Sequence, residues 1–264
     1  MNNTSPLRYP GGKSRACKIL DKVLNEHFDI NKFDVIISPF IGGGSFEFHL
    51  QNTYDKKLIV NDKFAPLINF WNQCKTNKTQ LCLELKKHIN CVSKEQFTTY
   101  RSKIMDTKEE LKQATYYFII NRSSFSGATL SGGFSEEASK KRFTLSSIER
   151  IENLDLSNID FHNLDFKPFI KKFHKKKLNS LLFLDPPYYL EKKSNLYGDN
   201  GNMHDTFDHQ ELFNSLSKKS NWLMTYNNCD YIRNLYKDYI IIDANWSYGM
   251  NASKKSSEII IISK

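Results

Sequence analysis

The stretch Phe33-Asp-Val-Ile-Ile-Ser-Pro-Phe-Ile-Gly-Gly-Gly-Ser45 sets the architecture expected for this chain. A short, mainly apolar run leads into a proline and three glycines, which predicts a buried strand entering a tight loop. A helix is expected to begin near Ser45. Further on, Lys57-Leu-Ile-Val60 predicts a second strand ending at Asn61-Asp62, and residues 66–74 predict another helix. These segments predict a β-loop-α-β beginning.

The second half of the chain predicts four more strands, at residues 180–184, 221–225, 239–242 and 258–262. Between the first two of them, Asp208-His-Gln-Glu211 has the spacing of a capping box before an amphipathic helix. Alternating strands and helices predict an open α/β sheet, which binds ligands beyond the carboxyl ends of its strands. Residues 76–173 differ, because they are Lys- and Glu-rich, helical and then irregular. We therefore predict one sheet domain, 1–75 and 174–264, with an inserted and mainly helical subdomain at 76–173.

Composition narrows the classes of partner. The 264 residues carry a formal charge of +9, which attracts polyanions over long range, and nucleic acid is the commonest of these. No run of about 18 apolar residues predicts a membrane span, and no secretion signal is recognisable, so an intracellular, cytoplasmic protein is expected. The five cysteines contain no Cys-x-x-Cys pair, which predicts neither disulfides nor a zinc site.

The loop Asp185-Pro-Pro-Tyr188 directly follows the apolar strand at 180–184. Two prolines stiffen the backbone and remove two N–H donors, so the loop presents carbonyl acceptors and one carboxylate. Such a loop suits an amino group. An exocyclic amine of adenine is a poor nucleophile because its lone pair is delocalised into the ring. Hydrogen bonds accepted by Asp185 and the Pro186 carbonyl would free that pair, and Tyr188 would stack on the base.

This loop resembles the catalytic motif of amino-group DNA methyltransferases. The segment Ser38-Pro-Phe-Ile-Gly-Gly-Gly-Ser45 is similar to the cofactor motif of the same enzymes, which use S-adenosylmethionine. The resemblance implies cofactor contacts for Gly42 and Gly44, and a place near the sulfonium for Phe40. Members of the family often carry an acidic residue where this chain has Ser38.

Two further segments are expected to bind the cofactor. Asp62 stands about twenty residues after the glycines, the distance at which an acidic residue binds ribose hydroxyls in nucleoside-binding α/β folds. The stretch Arg8-Tyr-Pro-Gly-Gly-Lys-Ser14 resembles the opening of Dam-like adenine methyltransferases, which implies a cofactor-pocket role for Tyr9, Gly11 and Lys13. Asp185 is expected to face the cofactor as well as the base.

Contacts to DNA are implied by a third segment. Asn121-Arg-Ser-Ser-Phe-Ser-Gly127 resembles a family element in which Asn-Arg is followed by Asn-Gly, although Ser126 here replaces the second asparagine. Asn121 and Arg122 are therefore candidate DNA contacts. Lys141 and Arg142, within Lys140-Lys-Arg142, are candidate phosphate contacts, and the run Lys171 to Lys177 is a weaker one.

The order of the motifs resembles that of the α group of amino-methyltransferases, in which the target-recognition region lies between the cofactor loop and the catalytic loop. The resemblance implies a Rossmann-like methyltransferase that transfers a methyl group from S-adenosylmethionine to N6 of adenine in double-stranded DNA by base flipping, without a metal. The region from Tyr189 to Thr206, with Gly198, Gly201 and several Asn residues, is expected to form a mobile loop beside the site. A cognate restriction endonuclease is a candidate partner. Cytosine-N4 methylation, or DNA binding without catalysis, remain alternatives.

Overall fold

A computed structural model describes residues 3–175, 177–189, 207–247 and 255–264. Among these residues, strands form a single mixed sheet. The strands are β1 (Val35–Ser38), β2 (Lys57–Asn61), β3 (Ile159–His162), β4 (Ser180–Leu184), β5 (Trp222–Asn227), β6 (Ile240–Ser247) and β7 (Lys255–Ile262). The helices are α1 (Cys17–His27), α2 (Ser45–Tyr54), α3 (Ala65–Thr76), α4 (Lys78–Lys86), α5 (Lys94–Lys103), α6 (Glu110–Ser123), α7 (Glu136–Arg142), α8 (Leu145–Glu152), α9 (Phe166–Phe173), α10 (His209–Leu216) and α11 (Asp230–Leu235).

The strand order is β3-β2-β1-β4-β5-β7-β6. The first five of these strands run parallel, and β7 lies antiparallel between β5 and β6. The chain therefore moves outward from β1 to β3 and then returns to the other side of β1 to form β4. Parallel sheets bind ligands at such a reversal, beyond the carboxyl ends of the two central strands. The predicted α/β sheet is confirmed.

Side chains of the central strands alternate between two apolar layers. Ile36 and Leu181 face the layer that contains α1, α2 and α3, whereas Ile37 and Leu182 face the layer that contains α9 and α10. All four are fully buried, as the period of two along a strand requires when both faces are covered. The sheet is thus held rigidly in place below the loops that leave its carboxyl edge.

The predicted inserted subdomain differs from the structure at its C-terminal boundary. Residues 159–162 form β3, which pairs with β2 in parallel register from Leu58 opposite Ile159, and α9 then packs beside α10. These elements belong to the sheet layers rather than to the insert. The strand escaped sequence analysis because it has only four residues, Ile-Asp-Phe-His, and only Ile159 is fully buried.

The remaining inserted helices, α4 to α8, share the sheet's core and do not enclose a separate one. Helix α6 packs along α3, and the rings of Phe70 and Phe118 stack with centroids 5.5 Å apart. Residues of α6 from Tyr117 to Ile120 are fully buried. Since the apolar layer is continuous, α6 is fixed relative to β1 and β2, and so is the loop that follows it.

Candidate active site

A cavity of about 710 Å³ lies at the carboxyl ends of β1, β2 and β4. Loops after these strands, the N-terminal segment and the beginnings of α9 and α10 form its wall. It is located at the reversal of strand order, as expected for an open α/β sheet. The cavity brings together the residues that sequence analysis assigned to cofactor binding and catalysis, namely Tyr9, Gly11, Lys13, Phe40, Gly42, Gly44, Asp62, Asp185, Pro186 and Tyr188.

The glycine-rich loop after β1 packs against the ring of Tyr9. Gly42 and Gly44 have positive φ angles of 46° and 69°, which glycine adopts without strain. A Cβ atom on Gly42 would lie 2.8 Å from Tyr9 Cε1, and one on Gly43 would lie 2.8 Å from Tyr9 Cβ. The loop therefore needs glycine for close approach as well as for backbone conformation.

Asp62 follows β2 and is held by backbone donors. Its two carboxylate oxygens accept hydrogen bonds from Gly42 N at 3.2 Å and Phe64 N at 2.9 Å. Burial raises the pKa of Asp62 to about 6, although these N–H groups oppose the shift. The carboxyl group is thus fixed at the cavity wall as an acceptor for a neutral donor such as a hydroxyl.

Asp185 leaves the end of β4 and is oriented from two directions. Lys13 Nζ lies 2.7 Å and 2.8 Å from the two carboxylate oxygens, and Thr225 on β5 donates to Oδ1 at 2.6 Å. Lys13 Nζ also donates to Gly11 O at 2.8 Å, so the N-terminal segment and the catalytic loop form one network. Charged hydrogen bonds of this kind fix the direction in which the carboxylate points.

Tyr188 lies beside this network. Its ring stacks with that of Tyr226 at a centroid distance of 6.0 Å, and Lys13 Nζ is 5.1 Å from its centroid. The next peptide is fixed by Asn227, which bonds both N and O of Tyr189, at 3.0 Å and 2.8 Å. A planar group bound on Tyr188 would therefore meet the Lys13 ammonium and the Asp185 carboxylate.

An aromatic cluster forms the opposite part of the cavity. Phe40 lies 5.9 Å from Phe166 and 5.7 Å from Phe207, measured between ring centroids, and these two rings are 5.2 Å apart. Sequence analysis missed Phe166 and Phe207, which come from segments more than 100 residues after Phe40 and carry no motif. Three rings of this kind suit a flat purine base better than a sulfonium alone.

Glu47 is a second residue that sequence analysis missed. It lies in the first turn of α2, lines the cavity and is only 3% exposed. Ser38 Oγ, at the end of β1, donates to Glu47 Oε1 at 2.7 Å. Burial raises the pKa of Glu47 to about 8. The spacing from Ser38 to Glu47 gives no sequence signal, because the contact depends on how α2 folds back over β1.

Comparison with known proteins shows which family the chain matches. A family model described as D12 class N6 adenine-specific DNA methyltransferase matches residues 9–250, which is more than half of the chain. The chain belongs to this family. The predicted resemblance to adenine-N6 DNA methyltransferases is thereby confirmed, and the sheet is that of a Rossmann-like methyltransferase.

Curated relatives of this DNA methyltransferase are distant but span nearly its whole length. Type II methyltransferase M1.LlaDCHI of Lactococcus lactis subsp. cremoris is 26% identical, over 96% of this chain and 93% of the relative. Type II methyltransferase M.CviBI of Paramecium bursaria Chlorella virus NC1A is 24% identical, over 89% and 86%. Type II methyltransferase M.MjaIII of Methanocaldococcus jannaschii is 22% identical, over 89% and 88%.

The residues predicted to contact DNA fall into two groups in this methyltransferase. Asn121 is fully buried, and its amide bonds the backbone of Arg8, accepting from N at 3.0 Å and donating to O at 2.7 Å. We predicted a DNA contact for Asn121; the structure gives it a different place, because both its donor and its acceptor are engaged inside the protein. It positions the segment that carries Tyr9.

Arg122, by contrast, belongs to a group of cations that we call the arginine cluster: Arg8, Arg122, Arg142 and Arg150. Arg122 Nε donates to Arg142 O at 2.8 Å. Burial, together with the other three arginines, lowers the pKa of Arg122 to about 10. In the part of the chain that the structure describes, none of the four forms an ion pair with a carboxylate, and Arg142 Nη1 is buried without a hydrogen-bond partner. Sequence analysis missed Arg8 and Arg150.

The other predicted phosphate contacts are less concentrated. Lys141 is exposed on α7 and pairs with Glu137 at 2.8 Å. The run from Lys171 to Lys177 begins in the last turn of α9 and leads to the start of β4, where His174 bonds Ser180 Oγ at 2.8 Å. That is the amino edge of the sheet, opposite the cavity. The mobile loop expected from Tyr189 to Thr206 lies outside the described residues from position 190 onward, as do Lys176 and the side chain of Ser126.

Over residues 3–175, 177–189, 207–247 and 255–264, no three His, Cys, Asp or Glu side chains converge as metal ligands would. Over the same ranges, no helix has the length and apolarity to span a bilayer. All five cysteines are free thiols.

Proposed function

We propose that this DNA methyltransferase transfers a methyl group from S-adenosylmethionine to N6 of an adenine that has flipped out of double-stranded DNA. The observation that carries the proposal is the oriented carboxylate of Asp185 at the cavity, next to the ring of Tyr188. The family name supports adenine as the target base.

The donor set of the cavity fits S-adenosylmethionine, whose use the family implies. Asp62 is an acceptor for ribose hydroxyls, and the rings of Phe40, Phe166 and Phe207 can enclose the adenine of the cofactor. The backbone of Gly42 to Gly44 can approach closely because no Cβ intervenes. When bound, the cofactor would supply a methyl group on a positively charged sulfur: the amine nitrogen attacks the methyl carbon, the carbon–sulfur bond breaks to leave a neutral thioether, and the nitrogen gives one of its two protons to solvent.

Asp185 and Pro186 act on the nucleophile. The carboxylate and the Pro186 carbonyl accept hydrogen bonds from the two N–H groups of the target amine, which draws its lone pair out of the ring. Asp185 also stabilises the positive charge that develops on the nitrogen. Because Lys13 and Thr225 already hold the carboxylate, little reorganisation is needed when the base arrives.

The arginine cluster supports DNA as the substrate. Four like charges repel one another, and burial of Arg122 adds a desolvation cost, so the cluster gains most from a polyanion. Phosphates are ligands that guanidinium groups bind in bidentate fashion. Arg8 of the cluster directly precedes Tyr9, which lines the cavity. This supports a phosphate site beside the cavity, as an enzyme that unstacks one base requires.

The test is methyl transfer from S-adenosylmethionine labelled at the methyl group to unmethylated double-stranded DNA, followed by digestion to nucleosides. We expect the label in N6-methyladenine. Asp185→Asn should lower the single-turnover rate by about 10²–10³-fold, as loss of one oriented charge-stabilising group does. Asp238→Asn, an exposed site before β6, is the matched control and should leave the rate unchanged.

Label on cytosine would contradict adenine as the target base. Absence of label from DNA would contradict the proposed methyl transfer. An unchanged rate in Asp185→Asn would remove this residue from catalysis. Sequencing the labelled sites gives the recognition sequence. A duplex with 2-aminopurine at the target position should then gain fluorescence on binding, and no gain would contradict base flipping.

A restriction endonuclease of the same specificity is the partner we propose for this activity. The three relatives named above are all called type II methyltransferases. DNA methylated by the protein should resist a type II endonuclease that cleaves the sequence found above. Cleavage of fully methylated sites would contradict the protective role.

A further inference from the structure

Glu47 is a cavity residue that the proposed chemistry leaves without a task. It lines the cavity on the side of β1, with an exposed fraction of 3%. Its partner Ser38 is completely buried and donates to Oε1 at 2.7 Å. A carboxyl group that is buried and oriented in this way is expensive to retain unless something bound next to it repays the desolvation.

The surroundings of Glu47 favour a cationic ligand. Lys13 is the nearby cation, but its Nζ is already bonded to both oxygens of Asp185 and to Gly11 O. Asp185 repels a charge on Glu47, and the pKa of the nearby Cys17 thiol is raised by burial first and by Glu47 second. Lys13 is thus the nearby cation for both Asp185 and Glu47, but it is bonded to Asp185. A positively charged ligand at this end of the cavity would compensate the charge of Glu47.

The order of the strands gives the position of that charge. Asp62 follows β2 and Asp185 follows β4, and β1 lies between these two strands. A cofactor with its ribose at Asp62 and its methyl group facing Asp185 must place its remaining part over the end of β1. For S-adenosylmethionine that part is an amino acid with an α-ammonium group. The end of β1 is where Ser38 holds Glu47.

We infer that Glu47 binds the α-ammonium of the cofactor's methionine part and that Ser38 positions it. The assignment rests on the proposed function, because it presupposes that S-adenosylmethionine occupies this cavity. It makes Glu47 a specificity-determining residue: a nucleoside thioether without the amino group would lose the contact.

The experiment compares two ligands by titration calorimetry. One is S-adenosylhomocysteine, and the other is the same thioether without its α-amino group. Glu47→Gln should weaken binding of S-adenosylhomocysteine by about 10-fold or more, as expected for loss of a hydrogen bond between charged groups. It should change the affinity for the deaminated ligand by less than about twofold.

Glu26→Gln is the matched control. Glu26 lies on α1 outside the cavity, is exposed, and pairs with Lys22 at 3.8 Å. Its substitution should weaken neither ligand. Ser38→Ala should weaken S-adenosylhomocysteine less than Glu47→Gln does, because Glu47 itself remains.

The outcomes separate this inference from the proposed function. Equal weakening of both ligands in Glu47→Gln would show a merely structural role and overturn the inference, and so would no weakening of either. If the unmodified protein binds neither ligand, the proposed cofactor site itself is wrong. Melting temperatures of the three variants identify any loss of affinity that comes from misfolding.

Discussion

The cavity at the carboxyl edge of the sheet and the arginine cluster differ in how their charged groups are compensated. In the cavity, three carboxyl groups have partners inside the protein: Lys13 and Thr225 for Asp185, backbone N–H groups for Asp62, and Ser38 for Glu47. In the arginine cluster, like charges adjoin one another, and none of the four arginines forms an ion pair with a carboxylate of the described residues. A preorganised site suits a small ligand of fixed shape, whereas an unbalanced one suits a polyanion that brings its own compensation.

The largest effect should come from a substitution that adds an atom where the glycine-rich loop contacts Tyr9 in the cavity. Gly43→Ala would place a Cβ atom 2.8 Å from Tyr9 Cβ, which cannot rotate away. Overpacking of this kind costs about 1–3 kcal/mol; if that cost falls on the bound conformation of the loop, the affinity for S-adenosylhomocysteine should fall by about 5-fold to 150-fold. Calorimetric titration measures the fall.

Gly133→Ala in the inserted region is the control for that substitution, because a Cβ atom there meets no atom within 4 Å. It should leave cofactor affinity and melting temperature unchanged. Equal effects of the two substitutions would show that the cavity is no more tightly fixed than the inserted loop.

A smaller effect is expected when two arginines of the arginine cluster are replaced. Arg8→Gln combined with Arg150→Gln removes two exposed cations while keeping the buried Arg122. If both bind phosphates, the slope of log affinity for duplex DNA against log salt should decrease by about 1.8, and affinity near physiological salt should fall by at least about 10-fold. The affinity for S-adenosylhomocysteine in the absence of DNA should not change.

Lys237→Gln, an exposed cation between α11 and β6 at the amino edge of the sheet, is the control for the double variant. It should leave the salt slope as it is. A slope unaffected by the arginine substitutions would place the phosphate contacts elsewhere on the surface.

The smallest effect should be a pH dependence that arises from Asp62. Its pKa of about 6 exceeds the ordinary value of 3.8, so the folded protein binds an extra proton between these values. The stability that this proton contributes is lost as the pH rises through about 6. Acceptance of ribose hydroxyls is stronger for the carboxylate, so S-adenosylhomocysteine should bind about fivefold more tightly at pH 7 than at pH 5.

Asp62→Asn should bind more weakly than the unmodified protein at pH 7 and should lose the pH step between 5 and 7. Glu47, with a pKa of about 8, would also lose a proton on binding an ammonium group, so both pH series are measured in the Glu47→Gln background, where Glu47 cannot contribute to the step. A step that persists in Asp62→Asn would assign the titration to another group.

Sequence reasoning reached six of the seven strands of the described sheet because they are apolar runs beside turn residues. It also reached the cavity residues that lie in contiguous motifs, such as Asp185 to Tyr188. It missed β3, a four-residue strand in which only Ile159 is fully buried. Such an edge strand is specified by pairing with β2 rather than by its own composition.

The remaining omissions share a cause. Glu47, Phe166 and Phe207 enter the cavity from helices or loops whose local sequence is ordinary, and their roles depend on contacts formed only after the chain folds. Asn121 shows the converse: a residue inside a recognisable motif is used to hold Arg8, 113 positions earlier in the chain. Motif spacing locates a segment, but it does not tell which way a side chain turns.

The peptide unit shared by Arg8 and Tyr9 joins the two regions contrasted above. The backbone of Arg8 is bonded to Asn121 on α6 and lies against Gly127, where a Cβ atom would come within 2.7 Å of Arg8 O. The ring of Tyr9 lies on Gly42 and Gly43. One short stretch thus touches both the proposed phosphate site and the proposed cofactor cavity. Any factor by which DNA alters cofactor affinity through it must, by thermodynamic reciprocity, equal the factor by which cofactor alters DNA affinity.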